Sequence, residues 1–281
     1  MFAYLLVNML VSSISCAPSD LYAKSGANLK EWREESGVNP EEVGEYLEGD
    51  ILPTELSKNG LINETLRWTD AVIPYEIVGL FGSKEREIIA KAMGDYHKNT
   101  CIRFRPRNKG DKDWISLTSS NSGCWSSVGK IGGKQIVNLQ SPGCLAKIGT
   151  VIHELLHACG FYHEQNRYDR DLYVQINWEN IDESDNFRKV DNETITIFET
   201  DYDYRSVMHY SAKAFSSNGN PTITVLRSDE EIGQREGFSE KDLLKLRKMY
   251  NCGPTNENSA TDGLINVNQS GLIDLISILF P

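Results

Sequence analysis

The chain holds 281 residues, of which 40% are hydrophobic and 25% charged, a globular composition and not a disordered one. Acidic side chains outnumber basic ones 40 to 29, a formal charge of −11, which argues against nucleic acid as a partner because phosphate binding needs a basic footprint. No apolar run of about 18 residues interrupts the body, which excludes a multi-span membrane protein.

In chain order, residues 1–17 are an apolar run closed by small residues and read as a secretory signal, although no basic residues open it. Residues 18–58 form a separate block with ten acids against four bases, no cysteine and few large apolar residues. Such a block cannot bury a core of its own and is expected to lie on the rest of the chain as a leader. Ala71-Val-Ile-Pro-Tyr-Glu-Ile-Val reads as a strand whose Pro74 marks a sheet edge. Ser83 then caps a helix that carries Ile88, Ile89, Ala92, Met93 and Tyr96 at helical spacing. Strands follow at Ile102–Pro106, at Trp114–Leu117, and at Lys134–Leu139 after the Gly132-Gly133 turn. Lys147 to Cys159 reads as a helix stopped by Gly160. Looser sequence then leads to a last helix from Ser239 to Tyr250. The 29 residues beyond Cys252 hold no cysteine, so no disulfide-rich accessory module is expected. Cys16 leaves with the signal, and five cysteines remain, at 101, 124, 144, 159 and 252. In an oxidising compartment that count predicts two disulfides and one unpaired thiol, with the pairing open. Sequons at Asn63, Asn192 and Asn268 fit a secreted glycoprotein.

The segment that carries chemistry is His153-Glu-Leu-Leu-His157-Ala-Cys-Gly160-Phe-Tyr-His163-Glu164. Residues four apart share a helix face, so His153 and His157 can meet one Zn²⁺, and Gly160 gives the backbone freedom to turn back and deliver His163. Three protein ligands leave a position open for water, the mark of a catalytic zinc site. Glu154 stands beside that position as a base that need not ligate. Three of only five histidines fall in this segment; His97 and His209 read as ordinary structural histidines.

This extended motif resembles the metzincin metalloproteases, and Glu164 after the third histidine resembles the astacin family. Ser206-Val-Met208-His-Tyr210 is similar to the astacin Met-turn, and Leu47-Glu-Gly-Asp50 resembles the prosegment motif F-x-G-D, with Leu in place of Phe. The resemblance implies an α+β fold of two lobes, with a mixed twisted sheet and the active-site helix in the N-terminal lobe and a loop-rich C-terminal lobe. It implies one zinc per chain, Glu154 as general base, Met208 as an apolar floor, and Tyr210 as a displaceable ligand that steadies the oxyanion. Asp50 becomes the ligand that displaces the catalytic water in the zymogen. Disulfides Cys101–Cys252 and Cys124–Cys144 follow from it, which leaves Cys159 as a buried free thiol.

The implied organisation is a signal at 1–17, a propeptide at 18–58, a peptidase domain at 59–252 and a C-terminal tail at 253–281. A trypsin-like protease is expected to cut at Lys58-Asn59, and the new amino group to pair with Glu164. Arg235 is expected to place a base near the primed-side pocket and so favour an acidic residue after the scissile bond. Substrate is expected to pair with a strand edge near Gly123–Gly129. The whole is expected to be a secreted monomeric endopeptidase acting on proteins or peptides. The competing class is an inactive relative that only binds proteins; hydrolysis of casein abolished by a chelator separates the two.

Overall fold

The structure, a computed structural model, describes residues 18–53, 63–182 and 184–253. The expected signal, the Lys58-Asn59 junction, Asn268 and the segment beyond 253 lie outside these. Seven strands and four α-helices are described: α1 (Pro18–Glu31), β1 (Val72–Ile77), α2 (Ser83–Asn99), β2 (Arg103–Pro106), β3 (Trp114–Thr118), β4 (Cys124–Trp125), β5 (Lys134–Leu139), α3 (Ile148–Cys159), β6 (Val174–Ile176), β7 (Ile223–Val225) and α4 (Glu240–Met249). The first five strands form one sheet in the order β2-β1-β3-β5-β4. It is mixed: β2, β1, β3 and β5 pair in parallel, and β4 joins β5 antiparallel. Strands β6 and β7 form a separate antiparallel pair.

The alternating strands turn Ile73, Tyr75, Ile115, Leu117, Val137 and Leu139 into the main core. Helix α2 adds Ile89, Ala92, Met93 and Tyr96 from one face, and α3 is buried from Gly149 to Cys159, its apolar side chains in the main core and its two histidines on another face. With no solvent face, α3 sits between the sheet, α2 and the later chain. A smaller cluster of Val174, Ile176, Phe187, Tyr202, Tyr210, Ala214 and Ile223 builds the second body of packing.

Two local expectations are corrected. Strand β1 lies inside the sheet between β2 and β3, so Pro74 forgoes one ladder donor in an interior strand and guards no edge. The cap of α2 is Gly82, whose N–H donates to Glu85 Oε2 at 2.7 Å, and Ser83 is the first helical residue. The leader also holds a helix, α1, which its composition hid. Gly26 lets α1 come against the loop before β4: a Cβ there would stand 2.1 Å from the Asn121 carbonyl oxygen. The bridges Cys101–Cys252 and Cys124–Cys144 are both formed, with Cα separations of 5.3 and 5.6 Å, and Cys159 is a buried free thiol.

Candidate active site

Helix α3 delivers His153 and His157 on one face. It ends at Gly160, whose φ of 116° is one that side chains strongly disfavour. That reversal brings His163 back against the other two. The Nε2 of His153 lies 3.1 Å from that of His157 and 3.2 Å from that of His163. The outer ring nitrogens settle the tautomers. Nδ1 of His153 is 2.8 Å from the Val207 carbonyl and Nδ1 of His157 is 2.7 Å from the Phe161 carbonyl, so each Nδ1 carries the proton. His163 Nδ1 donates in the same way to Glu48 Oε2 at 2.7 Å. Three Nε2 lone pairs therefore face one another.

Asp50 completes the cluster from the leader, with carboxylate oxygens 2.9, 3.3 and 3.3 Å from Nε2 of His153, His157 and His163. Four acceptors turned on one point are stable only around a cation. Asp50 Oδ1, moreover, is buried and has no hydrogen-bond donor among the described residues. Imidazole nitrogen with carboxylate oxygen is the donor set that Zn²⁺ takes. The residues fit the metal, and the outer-nitrogen bonds are the orienting contacts such ligands need.

Around this point the other expected residues fall as follows. Glu154 is fully buried, and both its carboxylate oxygens lack hydrogen-bond partners among the described residues. Burial, and then the Asp50 and Glu41 charges, push its carboxyl well above the usual range. Tyr210 is fully buried and its hydroxyl donates to the Glu48 carbonyl at 2.6 Å. Burial, followed by Glu48 and Asp50, raises that phenol far above its usual value, so it stays a neutral donor. Met208 is buried in the main core. Asp242 at the start of α4 fixes its turn, accepting from Ser206 Oγ at 2.6 Å and Val207 N–H at 2.9 Å. His209 is buried with Nε2 2.7 Å from the Tyr202 hydroxyl, and His97 Nε2 accepts from Phe104 N–H at 2.8 Å. Both are structural.

Glu164 points away from the metal ligands. Its carboxylate accepts from Arg167 at 3.0 Å, from the Asp203 N–H at 2.9 Å and from Lys245 Nζ at 2.7 Å. Burial alone would raise it, but Lys245 and Arg167 outweigh burial and hold it low. Arg235 is fully enclosed, its Nε bonded to Glu41 and its Nη2 3.8 Å from Glu42. Asn192 is exposed and Asn63 half-buried.

The leader lies across all of this. Leu52 N–H donates to Ser126 O at 2.8 Å and Ser126 N–H to Asp50 O at 2.9 Å, so the leader continues the sheet past β4 inside the Gly123–Gly129 segment. Gly49 is required for the turn: its φ is 86°, and a Cβ would meet Phe215 Cζ at 2.7 Å. Leu47, which stands where the motif carries Phe, is 43% exposed; the anchor is its neighbour Tyr46, 4% exposed and packed among Tyr22 and Trp125. Sequence reading missed Glu41, Glu48, Asp242 and Lys245. Each acts across a long stretch of chain; the acid-rich leader signalled Glu41 and Glu48, the acidic first turn of α4 signalled Asp242, and nothing local signalled Lys245.

Residues 60–251 match the Astacin family model, which describes a family of peptidases. The chain belongs to the astacin family. It is 48% identical over 199 residues to zinc metalloproteinase nas-13 of Caenorhabditis elegans, covering 70% of this chain and 44% of that protein. It is 38% identical to seminal metalloprotease 1 of Drosophila melanogaster, covering 76% of this chain and 90% of that one. Among solved structures it resembles high choriolytic enzyme 1, a hatching-enzyme zinc protease of the medaka Oryzias latipes. The TM-score is 0.62 and the identity 38%, over 73% of this chain and all of that one. The chain thus spans less than half the length of nas-13, but 77% of zinc metalloproteinase nas-4 of C. elegans. Its astacin domain is a zinc metalloendopeptidase domain of α+β fold. No helix among the described residues is long and apolar enough to cross a membrane.

Proposed function

We propose that this astacin is a secreted, monomeric endopeptidase made as a zymogen, with residues 18–58 as the inhibitory leader, 59–252 as the peptidase and 253–281 as a tail. The observation that carries the reading is the convergence of His153, His157, His163 and Asp50 on one point beside a buried, unpartnered Glu154. Zinc bound there supplies an acidified water and polarises the scissile carbonyl. With zinc bound, the three histidines would hold it and Asp50 would occupy the place a water would take, so that Asp50's departure would let water in. Glu154 Oε then accepts the water's proton and passes it to the leaving amine. Tyr210, freed from the Glu48 carbonyl, turns its O–H to the developing oxyanion. Met208 keeps the floor beneath the ligands apolar.

Substrate replaces the leader along Gly123–Gly129 by strand addition, and Arg235 receives an acidic side chain after the scissile bond. A trypsin-like protease cuts at Lys58-Asn59, and the amino group freed there joins Glu164 beside Lys245 and Arg167. Asn63, Asn192 and Asn268 carry glycans. The test is direct. The purified chain should hydrolyse casein only after limited trypsin treatment, and a chelator should abolish that activity. Hydrolysis that survives metal removal refutes the proposal. Proteins starting at residues 58, 59 and 60 should differ in turnover; equal rates count against the role of Glu164. A peptide library cleaved without acidic enrichment after the scissile bond refutes that of Arg235.

A further inference from the structure

The leader's hold on the cleft does not end at the metal. Glu41 and Glu42 are 1% and 3% exposed, depths at which carboxylates are almost never found unpaired. Arg235, 1% exposed, donates through Nε to Glu41 and through Nη1 to the carbonyls of His209 and Gln234 at 3.1 and 2.7 Å. Its Nη2 has no hydrogen-bond acceptor among the described residues. Glu41 also accepts from Thr150 Oγ1 at 3.4 Å, and Glu42 accepts from the N–H and Oγ of Ser211 at 2.7 and 2.6 Å. Without the leader the guanidinium keeps two neutral carbonyls and no counter-charge, a costly state for a buried cation.

The pocket is fixed to the metal by the backbone. Gly149 N–H donates to the Arg235 carbonyl at 3.0 Å, and a Cβ on Gly149 would stand 2.2 Å from that carbonyl. Gly149 and Thr150 precede His153 on α3, so the backbone of Arg235 is tied to the helix that carries His153 and His157. Arg235, Thr150 and Lys147 also line a cavity of about 690 Å³ whose other wall is the leader at Trp32, Val38 and Pro40.

We propose that Arg235 is a carboxylate site filled from within by Glu41, a second latch that works without the metal. The cleft therefore keeps affinity for its own detached leader, an acidic peptide. The inference rests on the latency reading above. In this arrangement the leader offers two acids to two stations: Asp50 to the imidazoles and Glu41 to the guanidinium. Each station holds when the other is lost.

The test uses a fluorescent peptide of residues 39–53 and enzyme activated by proteolysis, with and without a zinc chelator. The wild-type peptide should bind in both states. Glu41→Gln should weaken binding about tenfold or more in both. Asp50→Asn should weaken it only while zinc is present. Glu41→Gln binding within about twofold of wild type in both states overturns the proposal. The uncleaved full chain gives a second reading that needs no free peptide. Asp50→Asn alone should leak little proteolysis, and the Asp50→Asn, Glu41→Gln double variant about tenfold more; equal leakage overturns the proposal. A wild-type chain as active before cleavage as after it would instead overturn the latency reading.

Discussion

Glu154 sits fully buried next to three histidines without accepting a hydrogen bond from any described residue. A carboxyl with no bonded partner there does nothing for the fold, so replacing it with an amide of the same size should leave the fold alone. Glu154→Gln should retain stoichiometric zinc while kcat falls by about 10²- to 10⁴-fold, the usual worth of a positioned base; zinc content and turnover measured on one preparation check this. His97 makes a different prediction. Burial, reinforced by Arg103, holds its imidazole below the ordinary value, so it is neutral in the fold while the unfolded chain takes up a proton below about pH 6.5. Stability from this residue is complete above that pH and is lost as pH falls through the lower folded value. His209, held down to about 4 by burial, acts with the same sign. Thermal unfolding of His97→Gln should therefore depend less on pH between about 7 and 5 than that of wild type.

At the scale of elements, α3 and the reversal after it make the site. Gly160 closes the helix by donating to Leu156 and His157 carbonyls at 3.0 and 2.7 Å while holding a φ of 116°. Gly160→Ala should cost about 1–3 kcal/mol and weaken zinc binding, because His163 is only three residues beyond; calorimetry and a zinc titration report the two losses separately. This element was legible because its signals are local: helical spacing of His153 and His157, a glycine, then a third histidine. The strands β2, β3 and β5 were legible from alternation for the same reason. What local pattern could not show was partnership at a distance. Pro74 reads as an edge residue until β2 and β3 are seen on either side of it. Helix α1 packs through Gly26 and Leu29, contacts that no periodicity announces. Arg235 reads as a base waiting for substrate until Glu41, 194 residues earlier, is found against it. Motif resemblance reached Asp50, but not Glu48 on His163, since that pair exists only once the leader is folded into the cleft.

At the scale of the molecule, the leader and the domain are held differently. The domain closes on apolar packing and two covalent bridges, whereas the leader, among the described residues, has no bridge and is held by the burial of Leu29, Tyr46 and Ile51, by buried charges, and by backbone hydrogen bonds to Ser126. Replacing Cys101 and Cys252 with serine should lower unfolding stability by about 2–5 kcal/mol, read as a shift of the denaturation midpoint under conditions that leave Cys124–Cys144 intact. The same bridge joins Cys101, two residues before β2, to Cys252, three residues past α4, a separation of 151 positions. Everything between them, α3 and the histidines included, is thereby one covalent ring. A single nick in any loop of that ring, such as the exposed turn around Asn192, opens the circle without parting the fragments. An enzyme working among other proteases would run as one intact band until a reducing agent revealed two pieces.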